Sequence, residues 1–254
     1  MVQMPFSLQG QIAVVTGSSQ GIGKAAVLAL ASAGATVAVV NTPDKSNDIE
    51  ATCAEIIGNG GRARGYELDV TNTLDIQIFF DRVISELGGL HILVNNAGVR
   101  SSVPTLDITE GDWDSVLNVN LKGLFFCCQS AIRHMSATGY GRIINIASQL
   151  AVTASPGRAP YIASKGGVVS LTKSLALEWI NQGVTINAVG PGPTSTPMTP
   201  KGSAANDETL LRRSPINRRL SPDEIAGAVV FLASPAAGSV NGHHLVVDGG
   251  WSVG

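Results

Sequence analysis

The sequence predicts an α/β fold built on a doubly wound parallel sheet of seven strands. Short runs rich in β-branched residues alternate along the chain with longer helical patterns, which is typical of strands joined by crossover helices. A glycine-rich turn separates the first such run from the first helical pattern. The 254 residues suffice for one sizeable hydrophobic core, and we expect a single domain over residues 1–254.

The predicted strands are short apolar runs that end at turn-forming residues. They are 12–16, 36–40, 63–68, 92–95, 142–148, 184–189 and 245–247. Two helix starts carry their own signals, because Thr109 with Asp112 and Ser221 with Glu224 have the spacing of capping boxes. A proline follows Ser221, where it suits the first helical position, and we expect a helix over 221–233.

Residues 191–219 break this alternation. They are rich in Pro, Thr, Ser and Asn, and they are too numerous for an ordinary connection between a strand and a helix. We expect a substrate lid there, with a mobile surface excursion as the alternative. Four arginines in or beside this segment could bind an anionic substrate or belong to a solvated helical face. They are Arg212, Arg213, Arg218 and Arg219.

Composition and charge exclude several classes of partner. The chain has 17 Lys and Arg against 19 Asp and Glu, a net charge of −2 without long runs of one sign, so we expect no nucleic acid partner. No apolar run is long enough to span a bilayer, and we expect a cytoplasmic protein. Only 14% of residues are charged, which leaves apolar surface for self-association. The tryptophans are expected to pack or to contact another subunit: Trp113, Trp179 and Trp251.

The cysteines and paired histidines do not predict a metal site. Cys53, Cys127 and Cys128 lack the spacing of metal ligands, and adjacent cysteines rarely form a disulfide, so we expect reduced, buried thiols. His243 and His244 would point to opposite faces of a strand, with no carboxylate or cysteine at ligand spacing.

The glycine-rich turn predicts a Rossmann-like dinucleotide site. Gly17, Gly21 and Gly23 lie between the first strand and a helix that should run to about Ala33 and end at Gly34. Glycines let the chain turn sharply and let a pyrophosphate approach the backbone. The N-terminus of the helix would then present unpaired N–H groups and the positive end of its dipole to the phosphates.

The spacing of these glycines resembles the T-G-x-x-x-G-x-G motif of the short-chain dehydrogenase/reductases. Further matches to that family follow in order along nearly the whole chain. They are Asp69-Val70 after the third strand, Asn95-Asn96-Ala97-Gly98 after the fourth, Ser148 after the fifth, Tyr161-x-x-x-Lys165 on the next helix, and Pro191-Gly192 after the sixth. The resemblance implies an NAD(P)-dependent oxidoreductase that moves a hydride between the nicotinamide and a secondary alcohol or ketone. It also implies a homo-oligomer, usually a tetramer.

The resemblance implies cofactor contacts in all of these segments, with Asp69 and Val70 bordering the adenine and Thr194 and Thr196 beside the nicotinamide carboxamide. The implied cofactor-binding residues are Gly17, Ser19, Gln20, Gly21, Ile22, Gly23, Asn41, Asp69, Val70, Asn96, Ala97, Gly98, Tyr161, Lys165, Pro191, Gly192, Thr194 and Thr196.

The end of the second strand bears on the choice between NADP(H) and NAD(H). An acidic residue there usually binds the adenosine ribose and repels a 2′-phosphate, but this chain has Asn41. Lys45 could pair with that phosphate, whereas Gln20 stands where many NADP-preferring members carry a basic residue. We therefore favour NADP(H), and NAD(H) or dual use stays open.

Tyr161, Lys165, Ser148 and Asn120 are the expected catalytic residues. Tyr161 and Lys165 are four residues apart on one helical face, so the ammonium can stabilise the phenolate. The resemblance implies that Tyr161 is the general acid or base, that Ser148 donates to the substrate oxygen and that Lys165 binds the nicotinamide ribose. It also implies that Asn120 holds a water of a proton relay, with Asn118 as the alternative.

The substrate is not evident from these motifs. Short stretches resemble members that act on sugars, sugar acids and polyols, and the 3-oxoacyl-[acyl-carrier-protein] reductases are a close alternative. A non-catalytic dinucleotide-binding regulator, or an epimerase or dehydratase on the same fold, would also be compatible with the cofactor motifs.

Overall fold

A computed structural model describes residues 6–199 and 214–253. Seven parallel strands form one sheet in the order β3-β2-β1-β4-β5-β6-β7, which confirms the predicted fold class. The strands are β1 Ile12–Thr16, β2 Thr36–Asn41, β3 Arg62–Glu67, β4 Ile92–Asn95, β5 Gly141–Ile146, β6 Val184–Pro191 and β7 His244–Val247. The chain passes from β3 at one edge to β4 on the far side of β1, so a crevice opens where the winding reverses.

Helices cover both faces of this sheet. They are α1 Gly21–Ser32, α2 Ser46–Gly58, α3 Thr73–Leu87, α4 Glu110–Leu117, α5 Leu124–Thr138, α6 Ala159–Trp179 and α7 Pro222–Ala233. A π-helical segment, Asn118–Gly123, joins α4 to α5. Short 3₁₀ turns occur at Pro43–Lys45, Thr105–Asp107, Gln149–Ala151, Ile180–Gln182 and Pro235–Ala237.

Two apolar layers hold the helices on the sheet. Successive strand residues point to opposite faces, so Val14 packs in the layer under α3, α5 and α6 while Ala13 and Val15 pack under α1, α2 and α7. All three side chains are fully buried. Since both faces are covered, β1, β2 and β4 are largely apolar runs rather than alternating ones, and such runs could be recognised in the sequence. The edge strand β3 is mostly exposed.

The predicted helix starts are confirmed, while the end of the fifth strand differs from the prediction. Thr109 with Asp112 and Ser221 with Glu224 form capping boxes with both reciprocal hydrogen bonds. β5 ends at Ile146, two residues before the predicted end at Ser148. The cause is local, because the Ser148 hydroxyl accepts the Leu150 N–H at 3.1 Å and starts a 3₁₀ turn.

All three cysteines are free, and Cys127 and Cys128 are buried in the layer under α5. Cys53 is only partly buried, which corrects the expectation of three buried thiols, because it lies at the edge of the layer under α2. None of the helices within 6–199 and 214–253 is long and apolar enough to cross a membrane. Over the same ranges no three His, Cys, Asp or Glu side chains cluster as metal ligands would.

Candidate active site

A cavity of about 790 Å³ opens at the carboxyl ends of the strands, where the sheet order reverses. Its wall combines the glycine-rich turn, the segments after β2 to β6 and the first turns of α6. Most of the residues expected to bind cofactor or substrate line this cavity. They are Gly17, Gln20, Gly21, Ile22, Asn41, Asp69, Val70, Asn96, Ala97, Gly98, Ser148, Tyr161, Lys165, Pro191, Gly192, Thr194 and Thr196.

Three expected site residues, Ser19, Gly23 and Asn120, lie behind the wall rather than on it. The Ser19 hydroxyl accepts a 2.7 Å hydrogen bond from the side chain of Asn41. Gly23 packs so closely on the side chain of Asn96 and the backbone of the glycine turn that a Cβ would clash. Ser19 and Gly23 therefore support the wall by holding Asn41 and by allowing close packing on Asn96.

The glycine turn is held against the segment after β4. Gly17 has a φ of 63°, and a Cβ there would come within 2.9 Å of the Ala97 Cα, so a side chain would meet backbone that cannot yield. The Asn96 side-chain nitrogen donates to the carbonyl oxygens of Thr16 at 3.0 Å and Gly17 at 2.8 Å. Glycine at this position therefore lets the turn lie directly against the segment after β4.

The N-terminus of α1 lies at the cavity wall without a side-chain cap. The N-cap residue, Gln20, makes no capping hydrogen bond, and the first turn carries no acidic residue. The first N–H groups of the helix are thus available to an anion, together with the positive end of the helix dipole. This arrangement fits a dinucleotide pyrophosphate.

The wall after β2 contains a weakly paired cation, Lys45, and no carboxylate from β2 itself. The Asn41 side-chain nitrogen donates to Ser19, and its oxygen accepts the Thr42 N–H at 2.9 Å. Lys45 lines the cavity, and its ammonium is 3.9 Å from the Asp48 carboxylate. Such a weak pair at a partly exposed site leaves Lys45 able to bind another anion.

Tyr161 and Lys165 both line the cavity from the first two turns of α6. The Lys165 ammonium donates a 2.7 Å hydrogen bond to the Ile146 carbonyl at the end of β5, and it lies 5.8 Å from the centre of the Tyr161 ring. Ser148 enters the same cavity from the turn after β5, where its hydroxyl donates to the Gln149 side-chain oxygen at 3.2 Å. The structure brings these three groups together.

Burial shifts the pKa values of Tyr161 and Lys165 in the directions that favour their neutral forms. It lowers the pKa of Lys165 to about 8, because a buried ammonium loses its hydration. It raises the pKa of Tyr161, because a buried phenolate also loses its hydration. Interaction with the Ser148 hydroxyl and the positive charges of Arg158 and Arg100 act in the opposite direction on Tyr161 and lower its pKa.

Asn120 is fully buried in the π-helical segment. Its side-chain oxygen accepts the Val99 N–H at 2.8 Å, and its nitrogen donates to the Val99 carbonyl at 2.9 Å and to the Ser164 hydroxyl at 3.1 Å. The side chain therefore joins the segment after β4 to α6. Asn118 lies elsewhere, in a surface depression with Leu121.

Sequence reasoning missed Arg100 and Arg158, which line the cavity near Tyr161. Arg158 is the N-cap residue of α6, three positions before Tyr161, and that spacing was the available signal. For Arg100 the sequence offered no signal beyond its position two residues after the Asn-Asn-Ala-Gly run. Trp251 also lines the cavity, which differs from its expected role in packing or subunit contact.

The ends of the segment expected to be a lid meet each other. Leu220 N–H donates to the Pro193 carbonyl at 2.8 Å, and Ser195 N–H donates to the Leu220 carbonyl at 2.9 Å. Arg218 forms an exposed ion pair with Glu224, whereas Arg219 lines the cavity. Residues 200–213 of the expected lid, with Arg212 and Arg213, lie outside the described residues.

Comparison with known proteins finds relatives that match nearly the whole chain. A family model described as enoyl-(acyl carrier protein) reductase matches residues 17–252. The chain is 40% identical over 253 residues to the D-threitol dehydrogenase of Mycolicibacterium smegmatis, covering 99% of this chain and 96% of that protein. It is also 40% identical over 245 residues to a 3-oxoacyl-[acyl-carrier-protein] reductase of a Synechocystis species, covering 96% of this chain and 98% of that protein.

The fold has similar solved structures. A gluconate 5-dehydrogenase from Burkholderia cenocepacia, solved in complex with NADP and tartrate, superposes with a TM-score of 0.94. It is 35% identical to this chain, and the match covers 98% of each chain.

Proposed function

Because the chain belongs to the short-chain dehydrogenase/reductase family, we propose that its cavity binds NADP(H) and a polyhydroxylated secondary alcohol or the matching ketone. The chain is an NAD(P)-dependent oxidoreductase that acts on CH–OH groups. The observation that carries the proposal is the meeting of Ser148, Tyr161 and Lys165 in a cavity that also contains the glycine turn. The D-threitol and gluconate dehydrogenases among its relatives support the polyhydroxylated substrate class.

NADP(H) would lie across the cavity from the glycine turn to α6. The uncapped start of α1 would bind the pyrophosphate, and Lys45 would bind the 2′-phosphate in a place where β2 supplies no carboxylate. The relative solved with NADP supports this choice over NAD(H). When bound, the nicotinamide supplies or accepts the hydride.

Tyr161 would transfer the proton that accompanies the hydride. In reduction its phenol gives a proton to the substrate oxygen, and in oxidation its phenolate takes one from the substrate hydroxyl. Ser148 would donate to that oxygen and hold it near Tyr161. Lys165 would bind the nicotinamide ribose and favour the phenolate, and Asn120 would hold the α6 end of a water path for the returning proton. The convergence of Ser148, Tyr161 and Lys165 on one cavity edge supports the assignment, and Asn120 contacts the same turn of α6 through Ser164 behind the wall.

We also propose a single domain with residues 191–219 as its substrate lid, a homotetramer and a cytoplasmic location. The meeting of Pro193, Ser195 and Leu220 supports the lid, since it gives the segment a fixed base. Exposed apolar groups on the α4 to α6 side, including Leu177 and the depression around Leu121, support the tetramer. Free thiols support a reducing compartment. Light scattering on purified protein tests the oligomeric state.

Reduction of a 3-oxoacyl thioester is the second candidate activity, supported by the Synechocystis relative. One panel separates the candidates: oxidation of D-threitol, D-gluconate and D-glucitol with NADP⁺ or NAD⁺, and reduction of acetoacetyl-coenzyme A with NADPH. We expect NADP⁺-dependent oxidation of at least one polyhydroxylated substrate. Activity with the thioester alone would favour the second candidate. Cofactor binding without any turnover would overturn both and favour a regulator.

A further inference from the structure

The cavity is positively charged, although the chain as a whole has a net charge of −2. Among the described residues of its wall, one carboxylate, Asp69, stands against five cations. The cations are Lys45, Arg100, Arg158, Lys165 and Arg219. Concave sites lined by one sign of charge focus the potential and concentrate ligands of the opposite sign. The wall therefore favours anionic ligands.

Arg100 and Arg158 stand out among these cations. Lys165 already donates to the Ile146 carbonyl, and Lys45 lies at the adenosine end of the cavity. Within the described part of the chain, the guanidinium groups of Arg100 and Arg158 make no hydrogen bond and no ion pair. Both side chains are partly buried.

The two partly buried guanidinium groups lower the free energy of unfolding when no anion is bound beside them. Burial lowers the pKa of Arg158, and the positive charges of Arg100 and Arg219 lower it further. Partly buried cations without a counter-charge destabilise a fold, and such costs are typical of ligand sites. A bound anion would relieve the mutual repulsion and accept the free guanidinium donors.

The two arginines lie beside the group that would transfer the proton. Arg158 precedes Tyr161 by three residues at the start of α6, and Arg100 follows β4 on the neighbouring segment. Both are close enough to Tyr161 for their charge to favour its phenolate. The glycine turn and Lys45, which would bind the cofactor phosphates, belong to other parts of the wall. The free guanidinium groups are thus placed for the substrate.

We propose that Arg100 and Arg158 form an anion subsite that binds a substrate carboxylate next to Tyr161, so that the preferred substrate is a hydroxy acid or keto acid rather than a neutral polyol. This inference rests on the proposed function. The planar guanidinium groups can bind carboxylate oxygens in pairs. In oxidation the hydride leaves the carbinol carbon for the nicotinamide, the hydroxyl proton goes to Tyr161, and the carboxylate stays unchanged.

A matched pair of probes tests the subsite without knowledge of the true substrate. D-Tartrate and D-threitol share a four-carbon diol chain and differ in having carboxylates or hydroxymethyl groups at the ends. Calorimetric titration of the NADPH complex, in which neither diol can be oxidised, measures both dissociation constants. We expect D-tartrate to bind at least about tenfold more tightly than D-threitol, as for hydrogen bonds to charged groups. Binding of D-tartrate no tighter than that of D-threitol, or no binding of either, would overturn the proposal.

Substitutions locate the binding in the two arginines. Arg158→Gln and Arg100→Gln should each weaken D-tartrate binding by about tenfold and leave D-threitol and NADP⁺ binding unchanged, while Arg158→Lys should restore part of the loss. Arg133→Gln, at an exposed position on α5, is the matched control and should bind D-tartrate like the wild type. Variants that bind D-tartrate as tightly as the wild type would contradict the assignment.

A pH profile separates this role from a merely structural one. Loss of one positive charge should raise the pKa of Tyr161, so oxidation by Arg158→Gln should reach its plateau at higher pH than in the wild type. An unchanged profile would contradict the placement of Arg158 beside Tyr161. Failure of the proposed function is distinguishable, because it would show as discrimination between D-tartrate and D-threitol without cofactor-dependent turnover of any substrate.

Discussion

The side-chain nitrogen of Asn120 donates a 3.1 Å hydrogen bond to the hydroxyl of Ser164, the residue before Lys165. Ser164 in turn donates to the carbonyl of Tyr161 at 2.7 Å. A buried amide in the π-helical segment is therefore connected to the turn of α6 that carries both expected catalytic groups. The same amide also pairs with both backbone groups of Val99.

Asn120→Ala should lower the free energy of unfolding by about 2 kcal/mol, because it removes the three hydrogen bonds of a fully buried amide, two to the backbone of Val99 and one to Ser164. Denaturant titration measures the change. Asn118→Ala, in the same segment, should alter stability by less than about 0.5 kcal/mol. Equal stability of the two variants would show that the Asn120 hydrogen bonds contribute nothing net.

Tyr161→Phe should lower turnover by at least about a hundredfold, because the variant keeps the ring and loses the proton donor. The dissociation constant of NADP⁺, measured by fluorescence titration, should stay close to that of the wild type. Tyr140→Phe, on the segment between α5 and β5, is the matched control and should keep full activity. A Tyr161→Phe enzyme with about a tenth of wild-type turnover would mean that another group supplies the proton.

Asn41→Asp should shift cofactor preference toward NAD(H) by about tenfold, since a carboxylate at the end of β2 would repel a 2′-phosphate. The ratio of kcat/KM for NADP⁺ and NAD⁺ measures the shift. Asn59→Asp introduces the same charge at the exposed end of α2 and should leave the ratio unchanged. If both variants keep the wild-type ratio, Asn41 does not face the adenosine ribose.

Stability without cofactor should rise between about pH 8 and pH 10.5 because of Lys165. Burial lowers its pKa in the folded protein from 10.5 to about 8, so the unfolded chain binds more protons in this window. Relative to Lys165→Met, the wild-type free energy of unfolding should increase by about 2–3 kcal/mol across it. For Lys173→Met, at an exposed position of α6, the free energy of unfolding should depend on pH as it does for the wild type. If the free energy of unfolding of Lys165→Met also depends on pH as the wild type does, the pKa of Lys165 is not lowered in the folded protein.

Much of the fold was predictable because its signals are local. All seven strands were expected within a few residues of their observed bounds. For β1, β2 and β4 the signal is a largely apolar run, which burial on both faces requires, whereas the edge strand β3 is mostly exposed. The two capping boxes depend on residues three positions apart. The glycine turn depends on a backbone conformation that Gly17 adopts at a φ of 63°.

The sequence by itself determined the sheet, the cofactor motif and the candidates Ser148, Tyr161 and Lys165. Only the tertiary structure decided that Asn120 lies behind the cavity wall, that Trp251 lies on it, and that Arg100 and Arg158 meet beside Tyr161. The physical reason is that short-range patterns report how a segment folds. The wall of the cavity is formed by segments far apart in the chain, which the strand order brings together, and their charges interact through space rather than along the sequence.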